Sequence, residues 1–319
     1  MPITRRQLLG GLAGTVALTA LPAVARDVVR LSGRAFGTSW TVTLPQGMEG
    51  GEPEAIAAVL DAVDRTMSPF RADSDLSRFN AAATGNHAVD PALAHVAAEA
   101  LRIAAWSGGA FDPTVGPLVG RYGFGPMHGE RTGDFTGLSC DGTVLGKADA
   151  GLSLDLCGIA KGHALDLVAA RLREMRQADF LIEIGGELLA AGTGPDGRPW
   201  RLGIADPVAG GVHTRLFATD MALATSGDAV NAYEVGGRRY SHTIDPDTGE
   251  PLRTHIASVS VVHPSAMTAD GLATALLVLG VEHGLALAEA ENLPALFLLR
   301  GETGAVPRAS RGFSALMAG

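Results

Sequence analysis

The run Asp155-Leu-Cys-Gly158-Ile-Ala-Lys161-Gly162 constrains this chain more than any other, because it hands an apolar stretch over to a helix through a glycine-flanked turn. Residues 151–156 read as a strand, and the apolar spacing from about Lys161 to Met175 reads as the helix that follows. Such a turn exposes backbone N–H groups at the positive end of a helix dipole, and Lys161 adds a full charge. It therefore suits a phosphate or diphosphate. It is not a Walker A loop, since the glycine–lysine spacing differs and no Ser or Thr follows the lysine. A glycine-rich turn with an exposed lysine would carry the same letters without any ligand. Lysine is scarce here, only Lys147 and Lys161 occurring in 319 residues, which singles out Lys161.

A second strand-to-helix unit runs from Ile256–Val262 into a helix from about Ala269 to Leu279. Thr268 reads as its N-cap, with Asp270 in the first turn, where a carboxylate is favoured. Thr274 lies one turn on, on the same face. Two readings stay open: Asp270 completes the helix cap, or Asp270 and Thr274 offer hard oxygen ligands suited to Mg²⁺. In Tyr240-Ser-His242-Thr-Ile244-Asp245-Pro-Asp-Thr-Gly249 the final residues form a turn. His242 is there either a general base or a hydrogen-bonding structural residue. Gly109-Ala110-Phe111-Asp112 places an aromatic and a carboxylate in a loop over 108–137 that is rich in Gly and Pro.

Elsewhere Trp40, Val42 and Leu44 alternate as a half-buried strand, and Ile56, Val59, Leu60, Val63 and Met67 mark a helix over 53–67. Asp90 and Pro91 start a helix that runs to about Trp106. Short strands fall near 180–184, 188–192 and 200–205. Short strands with scattered helices predict an α+β fold.

The N-terminus has paired Arg5 and Arg6, an apolar run from Leu8 and a small-residue exit, Ala23-Val24-Ala25. That is the pattern of a twin-arginine signal over residues 1–25, with a functional domain over 26–319 and a periplasmic destination. A retained membrane anchor is the alternative, because the run is just long enough to span a bilayer. Losing Arg5 and Arg6 takes the formal net charge from −9 to −11. An acidic chain of this kind disfavours nucleic acid and anionic membrane as partners. Cys140 and Cys157 do not make a disulfide framework, and Cys157 reads as a buried small residue.

Taken in order, Phe36-Gly-Thr-Ser-Trp40, Met67-Ser-Pro-Phe70, Gly109-Ala-Phe-Asp-Pro-Thr114, Asp155–Gly162, Ile184-Gly-Gly-Glu187, Thr225-Ser-Gly-Asp228, His242-Thr-Ile-Asp-Pro246 and Asp270-Gly-Leu-Ala-Thr274 resemble the ApbE family, the FAD:protein FMN transferases. The resemblance implies two interleaved lobes with FAD in the cleft between them. It also implies Mg²⁺-dependent cleavage of the FAD diphosphate, with FMN passed to a threonine or serine of a target protein and AMP released. By the same resemblance Phe36, Phe70, Ala110, Phe111, Asp112, Asp155, Lys161 and Ile244 bind FAD. Asp270 and Thr274 ligate metal together with the carbonyls of Gly158 and Ala273, and His242 activates the acceptor hydroxyl. Phe70 stands where members often carry tyrosine, which leaves stacking without a hydrogen bond. An FAD hydrolase with water as acceptor, and a non-catalytic FAD-binding assembly factor, are the competing readings. The expected acceptor is an exported redox membrane protein, and related accessory proteins of nitrous-oxide respiration carry similar signals.

Overall fold

The computed structural model describes residues 28–45, 52–129, 133–228, 232–235 and 238–317. The signal expected over residues 1–25 lies outside the described residues. The chain opens with the hairpin β1 (Val28–Ala35) and β2 (Thr38–Pro45), then α1 (Glu52–Met67), α2 (Asp75–Ala81), a short β3 (Gly85–Ala88) and α3 (Pro91–Trp106). A long connection carries α4 (Gly116–Arg121), β4 (Leu138–Asp141) and β5 (Val144–Lys147), and leads to α5 (Ala160–Glu174). Next come β6 (Phe180–Ile184), β7 (Glu187–Ala191), β8 (Trp200–Ala205), β9 (Val212–Ala218) and β10 (Met221–Gly227). The small hairpins β11 (Ala232–Val235) with β12 (Arg238–Ser241), and β13 (Ile244–Asp245) with β14 (Glu250–Pro251), precede β15 (Ile256–His263). The chain ends with α6 (Ala266–Ala290), β16 (Ala295–Arg300), β17 (Ala305–Ala309) and α7 (Arg311–Met317).

One sheet of eight strands, in the order β1-β2-β6-β7-β10-β15-β16-β17, organises the rest. Every neighbouring pair in it is antiparallel. Successive side chains of a strand point to opposite faces, and both faces are covered. Ile182, Leu189, Ala222 and Phe297 enter a large core with α1, α3, α5 and α6, whereas Leu181, Leu188, Leu223 and Leu296 enter a second core with β8, β9 and Phe313 of α7. This is why Phe180–Ile184 and Glu187–Ala191 read as nearly unbroken apolar runs. The α+β class holds.

The local signals mostly act as the sequence predicts. Ile56, Leu60, Val63 and Met67 form the buried stripe of α1. The Asp90 side chain caps α3 by accepting from Ala92 N at 2.8 Å, with Pro91 in the first turn. Helix α6 is long and apolar enough to cross a membrane, yet Leu272, Ala273, Leu276 and Leu277 pack in the main core. Its ladder is broken at Gly280 (φ 80°, ψ 177°), next to the expected end at Leu279.

Four expectations need correction. Residues 151–156 form no strand: Gly151 lies in a turn and 152–156 have no regular secondary structure. Their backbone is held instead by the Asn80 carboxamide, which bridges Leu154 N and O at 2.7 and 2.9 Å, and by the Pro113 carbonyl, which accepts from Asp155 N at 2.7 Å. Helix α6 starts on Ser265, whose hydroxyl accepts from Thr268 N at 3.2 Å, so Thr268 lies inside the helix rather than at its cap. The 108–137 stretch contains α4 and a 3₁₀ turn over Phe135–Gly137. Cys157 is exposed, because Leu156 and Ile159 on either side of it fill the core, and neither cysteine is in a disulfide.

Candidate active site

One end of the main sheet gathers the residues that matter. Trp40 of β2 pairs with Ile184, Ile184 pairs with Glu187 across the Gly185-Gly186 turn, and Leu223 of β10 pairs with Leu188. Both turn glycines have positive φ, 61° and 106°, which a side chain would resist. Further along β10, Thr225 and Gly227 pair with Ser260 and Ser258 of β15. The start of β7 therefore lies beside Leu223, the end of β10 runs on past it along β15, and the starts of α5 and α6 reach them through Lys161–Glu187 and Thr274–Ser226.

Helix α5 begins at Ala160 with Ile159 at its N-cap and no local side-chain cap. The missing acceptor comes from α6: Asp270 Oδ2 accepts from Gly162 N at 3.0 Å. Asp270 therefore caps α5, a neighbouring helix, and the reading in which it completes its own helix fails. Lys161 Nζ lies 3.2 Å from Glu187 Oε1 and 3.7 Å from Asp270 Oδ1. Both carboxylates are buried, at 5% and 3% exposure.

The charges in this group are unequal. Burial pushes the Glu187 carboxyl up to about 7, with Lys161 pulling the other way. Burial also raises Asp270, again against Lys161. Burial works against the Lys161 ammonium too, but Asp270 and Glu187 together outweigh it and hold Lys161 above its ordinary value. Glu187 Oε2 is buried with no hydrogen-bond partner. Two carboxylates facing one ammonium leave the group short of positive charge.

Thr274 lies one turn beyond Asp270. Its Oγ1 is 2.9 Å from Ser226 Oγ and 3.4 Å from the Asp270 carbonyl, which ties α6 to the end of β10. Gly158 sits against both Thr274 and Phe111: a Cβ there would lie 3.2 Å from the Phe111 ring and 3.6 Å from Thr274 Oγ1. Asp155 holds this turn by accepting from Cys157 N at 2.9 Å, and burial raises its carboxyl. Lys161, Asp270, Thr274, Gly158 and Phe111 are thus brought together, with Asp155 and Ala273 adjacent in the chain.

The remaining expected residues are placed differently. Phe36, half-buried, occupies the β1–β2 turn with φ 52°, just before the strand that pairs with Ile184. Phe70 is 70% exposed on the loop after α1. Ala110 and Asp112 follow α3. Asp112 Oδ1 is engaged within the loop, accepting from Thr114 N at 2.7 Å and Thr114 Oγ1 at 2.6 Å, while Thr114 Oγ1 accepts from Asp134 N at 2.8 Å. Ile244 is buried in the β13–β14 ladder. His242 belongs to an aromatic group: its ring lies edge-on to Phe124 at 6.2 Å, Phe124 stacks on Tyr233 at 5.0 Å, and Tyr233 stacks on Tyr240 at 5.2 Å. Glu187 and Ser226 received no role from the sequence, although Gly-Gly-Glu187 marked a turn that leads straight into a strand.

Among the described residues, no three His, Cys, Asp or Glu side chains are grouped to hold a metal ion. Mg²⁺ does not require such a cage, since one or two carboxylates with water and substrate phosphate suffice. The all-oxygen donors, the surplus of buried carboxylate and the unpartnered Glu187 Oε2 fit a hard divalent cation.

The fold and site define an α+β protein with a charged centre of Lys161, Glu187 and Asp270 at one end of an antiparallel sheet, where two helices begin. The ApbE family model matches residues 36–297, and the chain belongs to that family. An FAD:protein FMN transferase of Vibrio cholerae is 38% identical over 309 residues, spanning 90% of this chain and 92% of the relative. One from Haemophilus influenzae is 35% identical and spans 98% of each chain. The solved structure of the flavin transferase ApbE from Vibrio cholerae superposes with a TM-score of 0.83 at 37% identity, covering 91% of this chain and 99% of that one. The apo flavinyl transferase ApbE of Pseudomonas stutzeri gives 0.81 at 37% identity, covering 94% and 99%.

Proposed function

We propose that this chain is an FAD:protein FMN transferase that moves the FMN part of FAD onto a threonine or serine hydroxyl of an acceptor protein, using Mg²⁺ and releasing AMP. The observation that carries the reading is the half-buried Lys161 between the buried carboxylates Glu187 and Asp270 at the start of α5. It puts a fixed positive charge at the positive end of a helix dipole, where a diphosphate is favoured. Family membership and relatives of the same name across most of the chain support it.

In this reading Lys161 binds and orients the diphosphate at the positive end of the α5 dipole. Asp270, Thr274 Oγ1 and the carbonyls of Gly158 and Ala273 hold Mg²⁺, which when bound supplies charge neutralisation to the phosphates. Phe36, Phe70, Ala110, Phe111, Asp112, Asp155 and Ile244 surround the rest of FAD. The acceptor hydroxyl oxygen forms a bond to the FMN phosphorus while the bond from that phosphorus to the oxygen of AMP breaks. The hydroxyl proton passes to a ring nitrogen of His242, and AMP leaves with the bridging oxygen. Arg5, Arg6 and Ala23-Val24-Ala25 support twin-arginine export, with the acceptor an exported redox membrane protein on the periplasmic side.

Purified chain is incubated with FAD, MgCl₂ and an acceptor domain bearing a threonine, and the acceptor is weighed by mass spectrometry. A gain of one FMN unit on the acceptor supports transfer. FMN and AMP beside an unmodified acceptor replace transfer with hydrolysis. Fractionation of the source cells tests the destination, and a cytoplasmic mature chain overturns it.

A further inference from the structure

Resting on that reading, we infer that Asp166 is a positioning residue for the Lys161–Asp270 centre, acting through the start of α6. Asp166 lies on α5, on the turn after Lys161. Its Oδ1 accepts from Ala266 N at 2.9 Å, and its Oδ2 accepts from Met267 N at 3.0 Å and from the Ser265 hydroxyl at 2.9 Å. Asp270 of α6 in turn accepts from Gly162 N of α5 at 3.0 Å. Each helix therefore begins on a carboxylate supplied by the other.

The crossing point leaves no slack. A side chain at Gly162 would collide with the Ala266 carbonyl, so the two helix starts touch backbone to backbone. Asp270 is one turn beyond Ala266 on the same helix. Sliding or rotating the start of α6 breaks the Asp166 bonds, and it also moves the Asp270 oxygens relative to Lys161 and Thr274. Asp166 touches neither Lys161 nor the proposed metal ligands by any of these bonds. It fixes where α6 begins, and that fixes where Asp270 stands. Outer partners of this kind are worth about 10- to 100-fold in metal affinity elsewhere.

A comparable tie on the same turn serves as a control. Thr268 Oγ1 donates to Glu99 Oε1 at 2.7 Å, which fastens α6 to α3 instead of α5. Its loss lowers stability without uncoupling the two helix starts.

The test uses the full chain with Asp166→Ala, Asp166→Asn and Thr268→Val. Three readings are taken: calorimetric titration with MgCl₂, the Mg²⁺ concentration at half-maximal FAD turnover, and hydrogen exchange at the Gly162 amide. The expected result for both Asp166 variants is about a tenfold or greater rise in the Mg²⁺ half-saturation value and faster exchange at Gly162. Turnover at saturating Mg²⁺ stays within about threefold, and Thr268→Val lowers the melting temperature while leaving the Mg²⁺ and exchange readings unchanged. Wild-type Mg²⁺ and Gly162 readings in a folded Asp166 variant overturn the inference, as does an equal shift in Thr268→Val. Where Asp166→Ala does not fold, Asp166→Asn decides by the same readings. A parent chain without Mg²⁺-dependent FAD turnover removes the transferase reading, and Gly162 exchange still tests the crossed clamp.

Discussion

Glu187 meets Lys161 at 3.2 Å and keeps its other carboxylate oxygen buried without a partner. The pair is therefore committed to one charge and carries capacity for another. Removing the ammonium leaves Glu187 and Asp270 as uncompensated buried acids, so Lys161→Met costs about 3–5 kcal/mol of stability. The same change lowers kcat/KM for FAD about 100-fold or more, the usual cost of losing a fixed charge aimed at a reacting phosphate. The double variant Lys161→Met/Glu187→Gln recovers most of the stability and none of the activity. Chemical denaturation with steady-state turnover checks both, and a Lys161→Met chain as stable as the parent refutes the pairing.

The raised Glu187 carboxyl sets one sign of pH dependence. Its folded value of about 7 exceeds the ordinary 4.5, so between those values the folded chain keeps a proton that the unfolded chain releases. Stability contributed by this group falls as pH rises through that window. In Glu187→Gln the fall disappears, which melting curves between pH 4.5 and 7 read directly.

His163 works in the opposite direction. Its ring is 5% exposed with Nε2 unpartnered, and it lies 5.9 Å from the His95 ring. Burial first, and His95 second, push it down from 6.5 to about 4. The unfolded chain therefore binds the extra proton first as pH falls. The contribution is fully present above about pH 6.5 and is lost toward pH 4, by up to about 3 kcal/mol. His163→Gln flattens the acid limb of the stability curve, and an unchanged limb would falsify the assignment.

Asp270 has two duties, as an acceptor for α5 and as a proposed metal ligand. Asp270→Ala loses the cap, about 1 kcal/mol, and lowers turnover about 100-fold or more at ordinary Mg²⁺. Full rate in that variant would dismiss the metal assignment while leaving the cap intact as a structural finding.

Gly162→Ala forces a methyl group against the Ala266 carbonyl. Backbone cannot yield as a flexible side chain does, so the change costs about 1–3 kcal/mol or more and lowers activity with it. Gly158→Ala, whose nearest neighbour is the Phe111 ring at 3.2 Å, costs less. Thermal denaturation ranks the two.

Much of the scaffold was legible from local pattern. The 3.6-residue spacing of Ile56, Leu60, Val63 and Met67 and the Asp90-Pro91 start are set by neighbours in the chain, and they appear as expected. The end of the first part of α6 was visible because Gly280 breaks the ladder by itself. The start was misplaced because Ser265 and Asp166 satisfy its amides, and Asp166 lies 100 positions away from Ala266. The duty of Asp270 was hidden for the same reason, its amide partner being 108 residues off. Residues 151–156 carry strand letters, but a side chain from Asn80 takes the place of a neighbouring strand. Letters report what a residue can do locally; they do not report which distant group will be waiting.

The cap that α5 receives from Asp270 also sets an order in time. As the chain is synthesised, Lys161 and Gly162 emerge more than 100 residues before the carboxylate that completes their helix start. Until α6 has followed, that start has no acceptor and Lys161 lacks one of its two counter-charges. Closing so long a loop is entropically slow. A chain cut before α6 therefore carries Lys161 and Glu187 without Asp270 or Thr274, and holds no complete centre.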